Sequence, residues 1–109
     1  MSTIHVPHLQ TYYISHAVGE MIVFPADKHR TFIAFQDTDA QDLHIWIGSN
    51  PPTDITQWFS LGGSTERDTL AFDRGVYGPI YISEAGGAAG DAFVLSNLAE
   101  NYTMEPLPV

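Results

Sequence analysis

Short runs in which every second residue is apolar or aromatic constrain this chain more than any other feature. A strand turns successive side chains to opposite faces, so a period of two marks a sheet with one face on a core. Nine runs carry the pattern: 11–16, 20–25, 31–37, 43–49, 58–61, 69–73, 80–84, 92–97 and 102–105. They are rich in Ile, Val, Phe, Tyr and Thr, which suit a pleated, half-buried surface. Leu43, Ile45 and Ile47 alternate with His44 and Trp46, Ile80 and Ile82 with Tyr81 and Ser83, and Phe93 and Leu95 with Val94 and Ser96. The alternation predicts a core of Ile33, Phe35, Ile45, Ile47, Leu70, Phe72, Ile80, Ile82, Phe93 and Leu95.

Turn residues separate the runs: Gly19, Asp37-Thr38-Asp39, Ser49-Asn50-Pro51-Pro52, Gly62-Gly63-Ser64, Gly75, Gly78-Pro79 and Gly86-Gly87. Strands at this spacing predict an all-β fold, an antiparallel β-sandwich or jelly-roll-like barrel of about eight strands. No long window has a helical period, although residues 53–58 suit one helical turn capped by Thr53 or Asp54. The sandwich is expected over 11–104. Residues 1–10 have little periodicity and 105–109 carry two prolines, so both ends are expected to be arms.

The chain's 109 residues are the size of one domain, and a 44% hydrophobic share supplies a core, which excludes disorder. Thirteen acidic against four basic side chains give a net charge of −9, which disfavours nucleic acid and anionic membranes as partners. No apolar run approaches the roughly 20 residues of a membrane span. The first ten residues hold no basic or apolar region of a signal peptide, so none is expected. The absence of cysteine excludes disulfides, zinc–thiolate sites and cysteine nucleophiles.

Chemistry-bearing motifs are missing. There is no nucleophile elbow, no zinc-protease motif and no glycine-rich loop opening a helix. The glycines of 86–90 precede a strand-like run, so they offer no helix N-terminus to a phosphate. The histidines, His5, His8, His16, His29 and His44, match no metal-ligand spacing, and Trp46 stands where a second ligand of an H-x-H pair would be. Asp37, Asp39 and Asp42 crowd one turn without the calcium-loop pattern, and suit a hairpin whose carboxylates cap its own backbone. No catalytic residue, metal or cofactor is therefore expected, and the chain is not expected to be an enzyme. Large aromatics are more numerous than the inward faces of one small core require. They point to an interface that would include Tyr12, Tyr13, Trp46, Trp58, Phe59 and Tyr77, with Leu107 and Val109 from the C-terminal arm; the alternative for Trp46 and Trp58 is that they cover the open ends of the sandwich.

Residues 30–98 resemble small β-sandwich virion proteins of tailed bacteriophages. The resemblance rests on a strand opened by arginine (Arg30-Thr31-Phe32-Ile33-Ala34-Phe35) and a strand ending Ile45-Trp46-Ile47-Gly48 before a proline loop. It continues through Phe59-Ser60-Leu61-Gly62-Gly63, Leu70-Ala71-Phe72, Gly78-Pro79-Ile80-Tyr81-Ile82 and a closing strand with the small lead-in Ala88-Ala89-Gly90. It implies a non-enzymatic structural protein of the virion, assembled in the host cytoplasm. The expected role is capsid decoration: a homo-oligomer that binds and stabilises neighbouring major capsid subunits. The alternatives are a tail or connector component, or a carbohydrate-binding host-adsorption module that stacks sugars on Trp46, Trp58 or Tyr77 and accepts hydroxyls on Asp39 and Asp42.

Overall fold

The computed structural model describes residues 9–37, 42–62, 69–72, 76–84, 89–97 and 101–108. They form nine strands: β1 (Gln10–His16), β2 (Glu20–Phe24), β3 (Ile33–Asp37), β4 (Leu43–Ile47), β5 (Phe59–Leu61), β6 (Thr69–Phe72), β7 (Ile80–Glu84), β8 (Gly90–Ser96) and β9 (Thr103–Pro106). The helical turn is a 3-10 turn, Ile55–Gln57, capped by Asp54, whose carboxylate accepts from the Thr56 N–H.

Strand pairing follows one rule through β8. β4 pairs with β5, β3 with β6, β2 with β7 and β1 with β8, all antiparallel, as in one long ribbon folded back at its tip. The ribbon rolls so that β3 also pairs with β8 and β4 with β7. Two sheets result, β1-β8-β3-β6 and β5-β4-β7-β2-β9. The first eight strands have the order of a jelly roll, and β9 adds a fifth strand beside β2.

The inner faces of the two sheets meet on Phe24 and Phe35, whose ring centroids lie 6.3 Å apart. Ile14, Ile22, Ile33, Leu43, Ile45, Leu61, Ile80, Ile82, Ala92 and Val94 complete the buried cluster. Ile33, Phe35, Ile45, Ile80 and Ile82 are buried as the alternation predicts.

The other expected core positions need correction. On β8 the inward residues are Ala92, Val94 and Ser96, while Phe93 is 39% exposed and Leu95 only half-buried. Val94 lies opposite Phe35 and Ser96 opposite Ile33, so the neighbouring strand sets the phase of β8. Leu70 and Phe72 point inward from β6, an edge strand, and are half-buried. Ile47 is 39% exposed, because β5 pairs with β4 only from Leu43 to Ile45 and leaves the end of β4 uncovered.

The C-terminal arm is also corrected. Glu105 and Pro106 belong to β9, and Leu107 donates its N–H to Gly19 O at 2.9 Å. Proline is tolerated there because β9 is an edge strand and needs donors on one side only. At the other end, Gln10 already pairs with Ser96, while residues 1–8 and Val109 lie outside the described residues.

Arg30, expected to open a strand, instead closes one end of the sandwich. It is 3% exposed. One guanidinium nitrogen donates to Val76 O and Gly78 O, both at 3.0 Å, and another to Pro25 O at 2.6 Å. The Asp27 N–H donates to Tyr77 O at 2.8 Å and ties the same two segments by backbone. Burial lowers the Arg30 pKa, partly opposed by the Asp27 charge. A fixed fork of donors serves three carbonyls at once, which a lysine cannot do.

Two measurements check this arrangement. In urea unfolding, Val94→Asp is expected to abolish the folded state, whereas Phe93→Asp is expected to lose less than about 1.5 kcal/mol, since only an exposed ring contact goes. Arg30→Ala is expected to cost about 3 kcal/mol by leaving buried carbonyls unpaired, with Arg30→Lys recovering only part of it.

Candidate interaction surface

The outer faces of the two sheets differ. On the five-stranded sheet, Met21, Val23 and Trp58 form a second buried cluster with Trp46, Ile55, Tyr81 and Leu107 packed around it. The segment between β4 and β5 carries the 3-10 turn over this face. His44, 5% exposed, donates from Nδ1 to Ile55 O at 2.8 Å. The Trp58 indole N–H donates to Pro52 O at 3.0 Å, and that of Trp46 to Ser49 O at 3.3 Å. Asp54 holds the turn through Thr56, and those hydrogen bonds keep its carboxyl below the ordinary range.

Among the described residues, nothing comparable covers the four-stranded sheet. Its register aligns Thr11, Leu95, Ala34 and Ala71 in one row across the outer face, and Tyr13, Phe93, Gln36 and Thr69 in the next. Tyr13 is 55% exposed and meets Phe93 edge-on, with centroids 5.1 Å apart. The pair makes an aromatic ridge. Beside it lies a shallow depression of about 320 Å³ whose walls include Thr11, Ala34, Gln36, Thr69 and Leu95. The two rows contain no charged side chain. At the ridge's end the Tyr13 hydroxyl donates to Asp91 at 2.5 Å. Hydrogen bonds from Ser15 and then Tyr13 hold the Asp91 carboxyl below the ordinary carboxylate range.

The residues expected at an interface are scattered by the fold. Tyr13 lies on the bare face, and Tyr12, the next residue, packs half-buried against the core. Trp58 is corrected from an interface position: at 3% exposure it is the centre of the second cluster. Trp46 and Leu107 are half-buried around it. Phe59, 47% exposed, is the first residue of the edge strand β5. Tyr77, 49% exposed, lies beside the Arg30 closure. The residues that sequence reasoning missed are Phe93 and Leu95, assigned to the core, together with Ala34 and Ala71. A signal for them existed: β8 is apolar on both of its faces, which marks two engaged faces rather than one.

The carboxylates and histidines assemble no metal centre among the described residues. Asp37 and Asp42 border 38–41, which lies outside those residues, as do His5 and His8. Asp37 packs against Gly62, whose φ of +68° and missing side chain are both needed, since a Cβ there would overlap the Asp37 carboxylate.

The described residues thus define a small all-β chain with jelly-roll strand order, in which one sheet is covered and the other is bare among those residues. Comparison with family models, with curated proteins and with solved structures finds no match.

The Asp91 linkage sets a pH dependence. A depressed pKa in the folded state gives stability that is present above the unfolded value, about 3.9, and lost as pH falls through the depressed one. Asp91→Asn is therefore expected to show a smaller fall in urea midpoint between pH 6 and pH 2.5 than the parent. Equal falls in the two proteins would contradict this linkage.

Proposed function

We propose that this chain is a non-enzymatic virion structural protein, a capsid decoration protein that attaches to neighbouring capsid subunits through the bare face of its four-stranded sheet. The observation carrying the reading is the neutral ridge and depression of Tyr13, Phe93 and Leu95, which no described residue covers, while the segment between β4 and β5 packs over the opposite sheet. Apolar patches rimmed by polar groups are the usual mark of a protein partner. The resemblance of residues 30–98 to phage virion sandwiches supplies the virion. The jelly-roll order is compatible with it, but also serves lectins and other classes, so strand order alone does not choose.

Size sets the mechanism. Four strands at about 4.8 Å spacing and four to seven residues of length span roughly 15 by 20 Å, on the order of 300 Å². A stable pairwise complex buries about 800 Å² per partner. One such contact is weak, and attachment gains strength when many copies engage a repeating lattice or when copies are linked to one another. The carbohydrate alternative has less support. Trp58 is buried, the Trp46 N–H is used internally, and Tyr77 stands apart from both, so the three rings assemble no stacking platform.

The test is to purify particles from a culture producing this chain and to count and locate its copies. Many copies across the shell, falling at least tenfold with Phe93→Glu while the isolated variant stays folded, are expected. Copies confined to the tail would replace decoration with the tail or connector role. Absence from the particles would overturn the virion reading, and unchanged decoration by Phe93→Glu would overturn the assignment of the face.

A further inference from the structure

Among the described residues, the sandwich is open along one side. There β5 and β6 are the edge strands of the two sheets. Four large residues whose register points them inward remain in contact with solvent. Phe59 lies opposite Ile45, which is 1% exposed, yet Phe59 itself is 47% exposed. Ile47 shares the inward face of β4 with Ile45 and is 39% exposed. Leu70 and Phe72 lie opposite the fully buried Phe35 and Ile33, but are only half-buried. Together with Ile45, Trp46 and Trp58 they line a cleft of about 590 Å³. That volume lies within the roughly 300–1,000 Å³ of small-molecule sites, and the predominance of aromatic and aliphatic walls is typical of them.

The chemistry of the walls selects the occupant. No described lining residue carries a charge, so the described walls offer neither an anion nor a cation a counter-charge. Both indole N–H groups are spent on backbone carbonyls, those of Ser49 and Pro52, so the tryptophans present carbon only. Gln57 supplies the remaining side-chain hydrogen-bonding group among the described lining residues. A sugar, with hydroxyls around its ring, would leave most of them unpaired on such walls. A molecule with an apolar body and a single neutral polar group matches both the carbon surface and the lone amide. We infer that the β5–β6 cleft is a binding site for a neutral, apolar small molecule of the long-chain alcohol type, with its polar group at Gln57. The inference is independent of the virion reading, because this cleft and the bare sheet face are separate surfaces with different residues.

Both tryptophans of the chain line the cleft, so their emission reports occupancy directly. The probes are hexan-1-ol, octan-1-ol and decan-1-ol, with decanoate at pH 8 as the charged counterpart and glucose as the polar one. Saturable emission changes are expected for the alcohols, tightening about fourfold per added methylene. Decanoate is expected to bind at least tenfold more weakly than decan-1-ol, and glucose to give no saturation. Ile47→Glu and Phe59→Glu both change exposed positions and are expected to lose alcohol binding, with circular dichroism confirming that each remains folded. Phe93→Glu, on the other face, is expected to bind as the parent does. The proposal is overturned if no alcohol saturates, if affinity is independent of chain length, if decanoate binds as well as decan-1-ol, or if both cleft variants bind like the parent.

Discussion

The constraint on which the rest of this molecule depends is the inward orientation of Phe24 and Phe35, one from each sheet. Because side chains alternate strictly along a strand, one inward residue determines the facing of every other residue on that strand, and cross-strand register passes the phase to its neighbours. Phe35 opposite Val94 makes Val94 and Ala92 inward, and Ala92 opposite Ile14 does the same for β1. Phe93 and Leu95 are thereby turned outward together with Tyr13. The exposed aromatic ridge is a consequence of core phase on a strand that is apolar on both faces.

The two outer faces meet the same problem in different ways. The five-stranded sheet carries Met21, Val23 and Trp46 outward, and the segment after β4 folds back to cover them. That cover is held by polar bonds as well as apolar contact: His44 to Ile55, Trp58 to Pro52, and Asp54 to Thr56. The C-terminal residues join it through Leu107. The four-stranded sheet has no such segment among the described residues. An apolar face that the described residues leave uncovered, in a fold that covers the equivalent face opposite, is the kind of surface that engages another molecule.

Polar groups close the ends. Arg30 supplies three hydrogen bonds to carbonyls of segments that leave β2 and enter β7, far apart in sequence. Glu84 is fully buried at the end of β7, where its side chain occupies the space that a Cβ at Gly90 would need. A glycine at the first position of a central strand is thus required by packing, in addition to any flexibility of the turn before it.

Local pattern was enough to locate the strands. All nine runs became strands, because alternation and turn residues act over a few neighbours and need no knowledge of the rest of the chain. The 3-10 turn with its Asp54 cap was legible for the same reason. Which face of each strand is the inner one was legible where one face alone is apolar, as on β7, and illegible on β8, where Phe93-Val94-Leu95 offers two apolar faces. Trp58 resembled an interface residue because composition cannot reveal that a loop folds it onto a sheet. The bare face and the open cleft depend on which strands lie at sheet edges and where β5 stops, and those are outcomes of long-range pairing. The sequence by itself determined the elements, their amphipathic character and the all-β class, since these follow from the period of two. Only the tertiary structure decided the jelly-roll order, the phase of β8 and the surfaces left uncovered, since contacts between residues distant in sequence select among patterns that are locally equivalent.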